Sequence, residues 1–187
     1  MVQIDPDWSP VDPVFEYTTF GGTSGWTAAP GLTIQRVTDD VRPNPAWRRY
    51  QQTVSAMEDK FPALGSARIS GRQSGANYLV KTRNFLALPD AGYVFKGWMK
   101  IDKTSVGTPS PRFRVVLIDD AKRTVSIAES AEYDASKLGQ WQCLECRFAT
   151  SPRVRQAVIS VPKPNDATME VEFHIDDFLL DVEKHDG

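Results

Sequence analysis

The residues best suited to bind a ligand lie in Tyr93–Ile101, where hydrophobic and polar side chains alternate. Successive side chains of a β-strand point to opposite faces, so Trp98 falls between Lys96 and Lys100 on the polar face. A tryptophan on a polar face is costly to leave in water, which makes Trp98 the first candidate binding residue. The alternative is that a loop or a neighbouring subunit covers it.

Other polar and aromatic side chains are predicted to share the face of Trp98. In Arg112–Ile118, the hydrophobic residues at odd positions form an inward set, which leaves Arg114 on the other face. In residues 141–148, the inward set is even-numbered, which leaves Trp141 and Arg147 facing outward. The candidate binding residues are therefore Trp98, Lys96, Lys100, Arg114, Trp141 and Arg147. A solvated basic face paired with nearby glutamates is the alternative.

A second set of residues could carry acid–base chemistry. Glu170 and Glu172 fall on one face of a predicted strand, and His174 is next along that face. Paired carboxylates are what glycoside hydrolysis uses. A strand histidine is nevertheless more often a hydrogen-bonded structural residue than a catalytic base. The sequence has no Gly-x-Ser-x-Gly elbow, phosphate-binding glycine loop or His-Glu-x-x-His motif.

Two cysteines, Cys143 and Cys146, have C-x-x-C spacing. Residues three apart in a regular strand face opposite ways, so a disulfide here needs a bulge or bend. A redox motif needs a helix N-terminus to stabilise the thiolate, and a structural zinc needs four ligands, for which only His174 and His185 are available in addition. We favour two reduced thiols, with Cys146 on the core face.

Composition limits the possible classes of protein. The chain has 187 residues, of which 41% are hydrophobic and 25% charged, with a formal net charge of −2. This length suits one domain that buries its own core. The net charge gives no reason to expect a nucleic-acid partner. No run of about 18 apolar residues exists to span a membrane, and the N-terminus lacks a signal-peptide layout, which decides little about the native compartment.

Most of the chain is predicted to form short strands separated by turns. Residues 1–13, rich in proline and aspartate, are predicted to be a lead-in or linker, and residues 14–187 a single domain. Asn44-Pro45, followed by aromatic and aliphatic residues three and four apart, predicts one amphipathic helix near residues 45–60. We therefore expect an all-β fold, an antiparallel β-sandwich of jelly-roll type with one helical insertion.

Several short motifs follow one another in a recognisable order. They are Val14-Phe15-Glu16, Gly25-Trp26, Gln73 to Leu79, Gly92 to Lys100, Trp141 to Phe148, and Phe173 to Leu180. This order resembles the jelly-roll carbohydrate-binding modules of the xylan- and glucan-binding type, which are appended to polysaccharide-degrading enzymes. The resemblance covers roughly residues 14–183. It implies a polysaccharide partner, a catalytic domain in the same chain or complex, and a secreted, extracellular or periplasmic location.

The resemblance also implies a structural calcium ion where the first strand meets the last. The family ligands correspond to Glu16 and Asp176, with Asp177 as a neighbour. Calcium binds about six to eight oxygen atoms, some of them from backbone carbonyls. The chain departs from the family pattern at Asp12-Pro13. The alternative is that Asp176 and Asp177 merely end a strand in solvent.

For glycan binding, the resemblance implies sugar rings stacked on aromatic side chains of a concave face, and Trp98 matches a stacking position. Lysine and arginine around an indole would suit a uronic-acid or sulfated chain, because the arginine fork pairs with carboxylate or sulfate. We therefore expect a non-catalytic carbohydrate-binding module that binds a polysaccharide, with an acidic one as a candidate. The alternatives are a β-sandwich lyase or glycoside hydrolase that uses Glu170, Glu172 and His174, and a structural or adhesive domain that binds protein.

Overall fold

The computed structural model describes residues 26–37, 39–40, 66–73, 75–103, 111–163 and 168–183. The predicted lead-in at 1–13, the predicted helix near 45–60 and the candidate ligand Glu16 lie outside these residues. The described residues form eleven strands: β1 (Trp26–Ala28), β2 (Leu32–Val37), β3 (Ser66–Gln73), β4 (Tyr78–Thr82), β5 (Phe85–Leu86), β6 (Gly92–Lys103), β7 (Arg114–Ile118), β8 (Thr124–Glu129), β9 (Gln142–Ala149), β10 (Gln156–Pro162) and β11 (Met169–Glu183).

The strands form two antiparallel sheets. Sheet A has the order β1-β4-β10-β7-β8, with the short β5 also paired to β10. Sheet B has the order β2-β3-β11-β6-β9. One 3-10 turn, Ala135–Lys137, precedes β9. The prediction of an all-β antiparallel sandwich is confirmed. No helix within the described ranges is long and apolar enough to cross a membrane.

The core lies between the two sheets, and the alternation predicted for β6 is the one observed. Phe95, Met99 and Ile101 are at most 1% exposed and belong to the core. Trp98, with the lysines on either side of it, lies on the other face and is partly exposed. Because β6 is paired with β11 on one side and β9 on the other, it is an interior strand that presents its polar side chains near the middle of sheet B.

A bulge in β11 changes which residues face the core. The register against β6 shifts between Asp176 and Leu179, so the strand gains one residue there. Ile175 points inward before the shift and Phe178 points inward after it, where its ring lies 6.0 Å from that of Phe95. Gly97 of β6 makes room for this ring, because a Cβ at Gly97 would lie 2.9 Å from Phe178.

Both cysteines are reduced thiols in β9, as favoured from the sequence. Cys143 is exposed and Cys146 is buried. Cys146 lies on the inner face with Leu144, two residues earlier on the same strand. Burial raises the pKa of the Cys146 thiol, and the charge of Glu129 adds to the rise. The C-x-x-C spacing therefore reflects ordinary strand alternation, with one thiol on each face.

Candidate functional site

The outer face of sheet B carries five of the six predicted binding residues. Trp98 lies on β6, with Asp176 of β11 opposite it on one side and Cys143 of β9 on the other. Lys96 is opposite Glu145 of β9 in the neighbouring row. The residues that the structure brings to this face are Lys96, Trp98, Lys100, Trp141 and Arg147. They come from adjacent strands, which is the arrangement that strand alternation predicted.

Trp141 lies immediately before β9 and its ring reaches across β6. The ring centroid is 6.2 Å from that of His174, which lies on β11, in an edge-to-face orientation. Since β6 separates β9 from β11, the indole extends over β6 towards His174, which is paired with Lys100. Trp98 is opposite Cys143, so Trp98 and Trp141 are diagonal neighbours. The Cα atoms of such neighbours in an antiparallel ladder are about 7–8 Å apart. We call Trp98 and Trp141 the indole pair.

Arg114 does not join this face, which corrects the predicted binding set. It lies on β7 of sheet A, on the other side of the sandwich. Its position within the strand was predicted correctly, because Val115 and Leu117 are buried and Arg114 is not. The alternation of one strand cannot tell which of two sheets the strand joins. Arg114 instead forms an ion pair with Glu129 of β8, at 2.6 Å.

Two cations on this face, Lys96 and Arg147, form ion pairs with carboxylates. Lys96 Nζ lies 3.2 Å from Glu145 Oε2, and Arg147 Nε lies 2.7 Å from Glu145 Oε1. Arg147 also pairs with Glu183. The hydrogen bond from Lys96 is the largest cause that holds the pKa of Glu145 below its ordinary value, and Arg147 adds to the effect. This geometry is the solvated, paired basic face that was the alternative to an anion-binding surface.

A polar cluster lies at the Trp141 end of the face. Lys100 Nζ donates to Asp40 and lies 3.3 Å from Asp102 Oδ1. His174 Nδ1 is 2.9 Å from Asp102 Oδ2, and its Nε2 is 3.7 Å from Asp40 Oδ2. Asp40 is held in place by its backbone carbonyl, which accepts a 2.7 Å hydrogen bond from the Ser66 hydroxyl at the start of β3.

Burial and the neighbouring charges set the protonation of this cluster. Burial lowers the pKa of His174, against the opposing charges of Asp40 and Asp102, so the imidazole is neutral at pH 7. Burial also lowers the pKa of Lys100, but the hydrogen bonds and charges of Asp40 and Asp102 outweigh it, and the net pKa is raised. The cluster therefore contains a permanent ammonium and a neutral imidazole between two carboxylates.

These groups surround a depression of about 310 Å³ in the outer face of sheet B. The lining residues are Asp39, Asp40, Arg68, Asp102, Glu172 and His174. We call it the acidic depression. Sequence reasoning missed most of its lining. Asp102 could have been predicted, because it lies two residues after Lys100 on a strand whose outward face was already assigned. Asp39 and Asp40 were not, because they lie just beyond β2 and reach the site only through the fold.

The residues of the predicted catalytic alternative, Glu170, Glu172 and His174, lie on β11. Glu172 forms an ion pair with Arg68 of β3, and His174 is hydrogen-bonded to Asp102. Glu170 is exposed and does not line the depression. The two glutamates are therefore not a matched pair around one cavity, which is the arrangement that glycoside hydrolysis requires.

Of the three expected calcium ligands, only the side chain of Asp176 lies within the described residues. Asp176 is 5% exposed and lies next to the β11 bulge. Glu16 and the side chain of Asp177 are outside the described residues. A separate group, Asp40, Asp102 and His174, has potential ligand atoms within 4.8 Å of one another. In this group the ammonium of Lys100 already supplies the cation, so the geometry favours an ion-pair network over a metal.

No protein-family model matches the chain, and no curated protein matches it in sequence. The similar solved structures include the CBM22-1 xylan-binding domain from Paenibacillus barcinonensis Xyn10C. That domain has a TM-score of 0.58 and 14% sequence identity, and the match covers 92% of this chain and 92% of that chain.

Two larger proteins contain a similar domain. The CBM22-1-GH10 modules of Clostridium thermocellum endo-1,4-beta-D-xylanase 10B, complexed with xylohexaose, have a TM-score of 0.61 and 14% identity, over 96% of this chain and 29% of that chain. The enzymatically active domain of tailspike protein 4 of bacteriophage CBA120 has a TM-score of 0.59 and 13% identity, over 97% of this chain and 22% of that chain. At these identities the likeness shows the fold alone, and this chain shares its β-sandwich fold with the xylan-binding domain.

Proposed function

We propose that the chain is a non-catalytic module that binds a polysaccharide on the outer face of sheet B. The observation that carries this proposal is the indole pair: two tryptophans lie side by side on one partly exposed face of a fold shared with xylan-binding domains. An indole offers a large, rigid apolar surface, which suits the apolar face of a sugar ring. Diagonal placement across two strands lets successive rings of one glycan contact both indoles.

A neutral polysaccharide fits this face better than an acidic one. The cations Lys96, Lys100 and Arg147 each have a carboxylate partner. An anionic chain would have to displace these carboxylates or lie beside them, and either costs free energy. A neutral chain needs only to replace water at hydroxyl-binding groups. The basic residues around Trp98 therefore position carboxylates more than they attract anions, which revises the expectation of an acidic ligand.

We further propose that the module belongs to a larger secreted enzyme that degrades polysaccharide. Support comes from the xylanase in which a domain of this fold occurs beside a catalytic module. In such an arrangement the module holds the enzyme near its polymeric substrate, so catalysis does not need to occur on the module itself. This proposal agrees with the engagement of Glu172 and His174 in structural contacts.

Affinity electrophoresis of the purified protein tests the proposed function. The gels contain neutral xylan or β-glucan, or an acidic or sulfated polysaccharide, each at two salt concentrations. We expect retardation by a neutral chain, with little dependence on salt. Dissolved salt screens interactions between exposed charges, but it does not weaken the stacking of a sugar on an indole. Retardation by acidic chains alone, weakening with salt, would overturn the neutral preference. No retardation by any chain, with no reducing sugar released, would favour a protein-binding domain.

We also propose a structural calcium ion, with Asp176, Glu16 and Asp177 as its candidate ligands. A buried carboxylate beside a strand bulge is consistent with a hard-cation ligand. We expect calcium to raise the melting temperature relative to EDTA in the wild type, and this increase to vanish in Asp176→Asn. Equal melting temperatures of the wild type in calcium and EDTA would rule the site out.

A further inference from the structure

The acidic depression adjoins the indole pair, and stacking alone leaves it without a role. It is bordered on one side by the His174 imidazole, against which Trp141 packs. A ring stacked on Trp141 therefore lies next to the carboxylates of the depression. Its volume of about 310 Å³ is near the lower limit for ligand pockets in general, which suits a single sugar unit and not a longer segment.

The charges of the depression select against an anion. Its lining contains the carboxylates of Asp39, Asp40, Asp102 and Glu172. Against them stand the guanidinium of Arg68 and the ammonium of Lys100, which pair with Glu172 and Asp40 respectively. Since His174 is neutral at pH 7, carboxylates outnumber cations. An added cation would compete with Lys100 and Arg68 for the same carboxylates. A neutral donor of hydrogen bonds is therefore the better fit.

Within the described parts of the chain, the paired carboxylates make fewer hydrogen bonds than their oxygens can accept. An ionised carboxylate has about four lone-pair positions. Glu172 uses one oxygen, Oε1, for Arg68. Asp102 accepts from His174 at Oδ2 and lies beside Lys100 at Oδ1. These contacts fix the oxygens in place while leaving lone pairs for a ligand. Hydroxyl-to-carboxylate hydrogen bonds are shorter and stronger than neutral ones, so a preorganised group of this kind suits sugar hydroxyls.

We propose that the acidic depression is a subsite for one neutral sugar unit, which rests on Trp141 and donates hydroxyl hydrogen bonds to Asp102 and Glu172. This inference depends on the proposed function and deepens it, because it assigns recognition of sugar hydroxyls to a place distinct from the Trp98 surface. His174 acts as a positioning residue there. It is held by Asp102 and packs against the indole, so it fixes the ring and the carboxylate relative to each other.

Calorimetric titration with a series of neutral xylo-oligosaccharides of increasing length tests the subsite. The test variant is Glu172→Gln, which keeps the shape and removes the charge. Its ion pair with Arg68 is partly exposed, so we expect the variant to fold. A second test variant, Asp39→Asn, changes an exposed residue of the lining. The matched control is Glu170→Gln, on the same strand but outside the depression.

We expect Glu172→Gln to weaken oligosaccharide binding about three- to tenfold, because a neutral amide oxygen accepts a hydroxyl hydrogen bond less strongly than a carboxylate does. The gain in affinity from adding the sugar unit that fills the depression should shrink as well. Asp39→Asn should weaken binding less, and Glu170→Gln should bind like the wild type. If the wild type binds and both lining variants keep its affinity and length dependence, the subsite is refuted while the proposed function stands. If the wild type binds no oligosaccharide or polysaccharide, both are refuted.

Discussion

His174 shows how the surroundings of a side chain decide its role. From the sequence it was a candidate catalytic base, since a histidine follows two glutamates on one strand face. In the structure its ring is 4% exposed, hydrogen-bonded to Asp102 and packed against Trp141. A base that works at pH 7 needs access to substrate and a pKa near the working pH. The structure gives His174 little exposure and a lowered pKa, so its main effect is on stability and positioning.

The lowered pKa of His174 predicts a pH-dependent stability. Its pKa in the folded state is below the ordinary value of 6.5, mainly because of burial. The unfolded chain therefore takes up a proton that the folded chain resists as the pH falls below about 6.5. The stabilisation is fully present above that pH and is lost as the pH falls towards the folded-state pKa. Of the groups that face the ring, Asp40 and Asp102 oppose the lowering of the pKa and Lys100 adds to it, and the net pKa of His174 stays below its ordinary value.

Urea unfolding at several pH values between 7.5 and 5 measures this effect. We expect the free energy of unfolding of the wild type to fall more over this interval than that of His174→Gln. The control is His185→Gln, which alters the only other histidine of the chain and so separates the effect of His174 from that of a histidine in general. Parallel pH dependence of the wild type and His174→Gln would contradict the assignment.

At the scale of elements, the packing of β11 against β6 depends on the missing side chain of Gly97. A Cβ at this position would lie 2.8 Å from Phe113 and 2.9 Å from Phe178, and both rings are packed against the core. Gly97→Ala should therefore destabilise the protein by about 1–3 kcal/mol, as overpacking of a core usually does. Chemical denaturation measures the change.

Gly92 on the same strand is the matched control for Gly97. A Cβ there meets only the side chain of Glu183, at 3.4 Å, which is exposed enough to move. We expect Gly92→Ala to destabilise the protein less than Gly97→Ala does, because the added methyl group meets only ordinary van der Waals contacts. If Gly97→Ala destabilises the protein no more than Gly92→Ala, the proposed fit of the two aromatic rings is wrong.

Strand alternation predicted the elements and their faces well, but not their partners. It placed Trp98 outside and Phe95 inside, because a period of two is a local property of the chain. It could not place Arg114, because sheet membership depends on long-range pairing. It also could not foresee the bulge after Asp176, which moves the inward positions from odd to even numbers. The acidic depression was missed for the same reason, since Asp40 arrives from beyond β2.

At the scale of the whole molecule, the two sheets present different outer faces. Sheet B carries the indole pair and the acidic depression. Sheet A carries Arg114 paired with Glu129, and Tyr78 of β4, over whose ring Lys81 Nζ lies at 4.4 Å. The two faces lie on opposite sides of the core, so a substitution on one does not touch a ligand bound to the other. A glycan-binding assay on matched variants can therefore tell which face is used.

The most direct test measures the affinity of three proteins for soluble xylan by isothermal titration calorimetry: the wild type, Trp98→Ala on sheet B and Tyr78→Ala on sheet A. Melting temperatures establish that all three are folded. We predict that Trp98→Ala loses at least tenfold in affinity and that Tyr78→Ala binds like the wild type, because stacking on the sheet B face supplies most of the binding energy. Unchanged binding by Trp98→Ala, or loss of binding in Tyr78→Ala instead, would contradict the assignment of the glycan to sheet B.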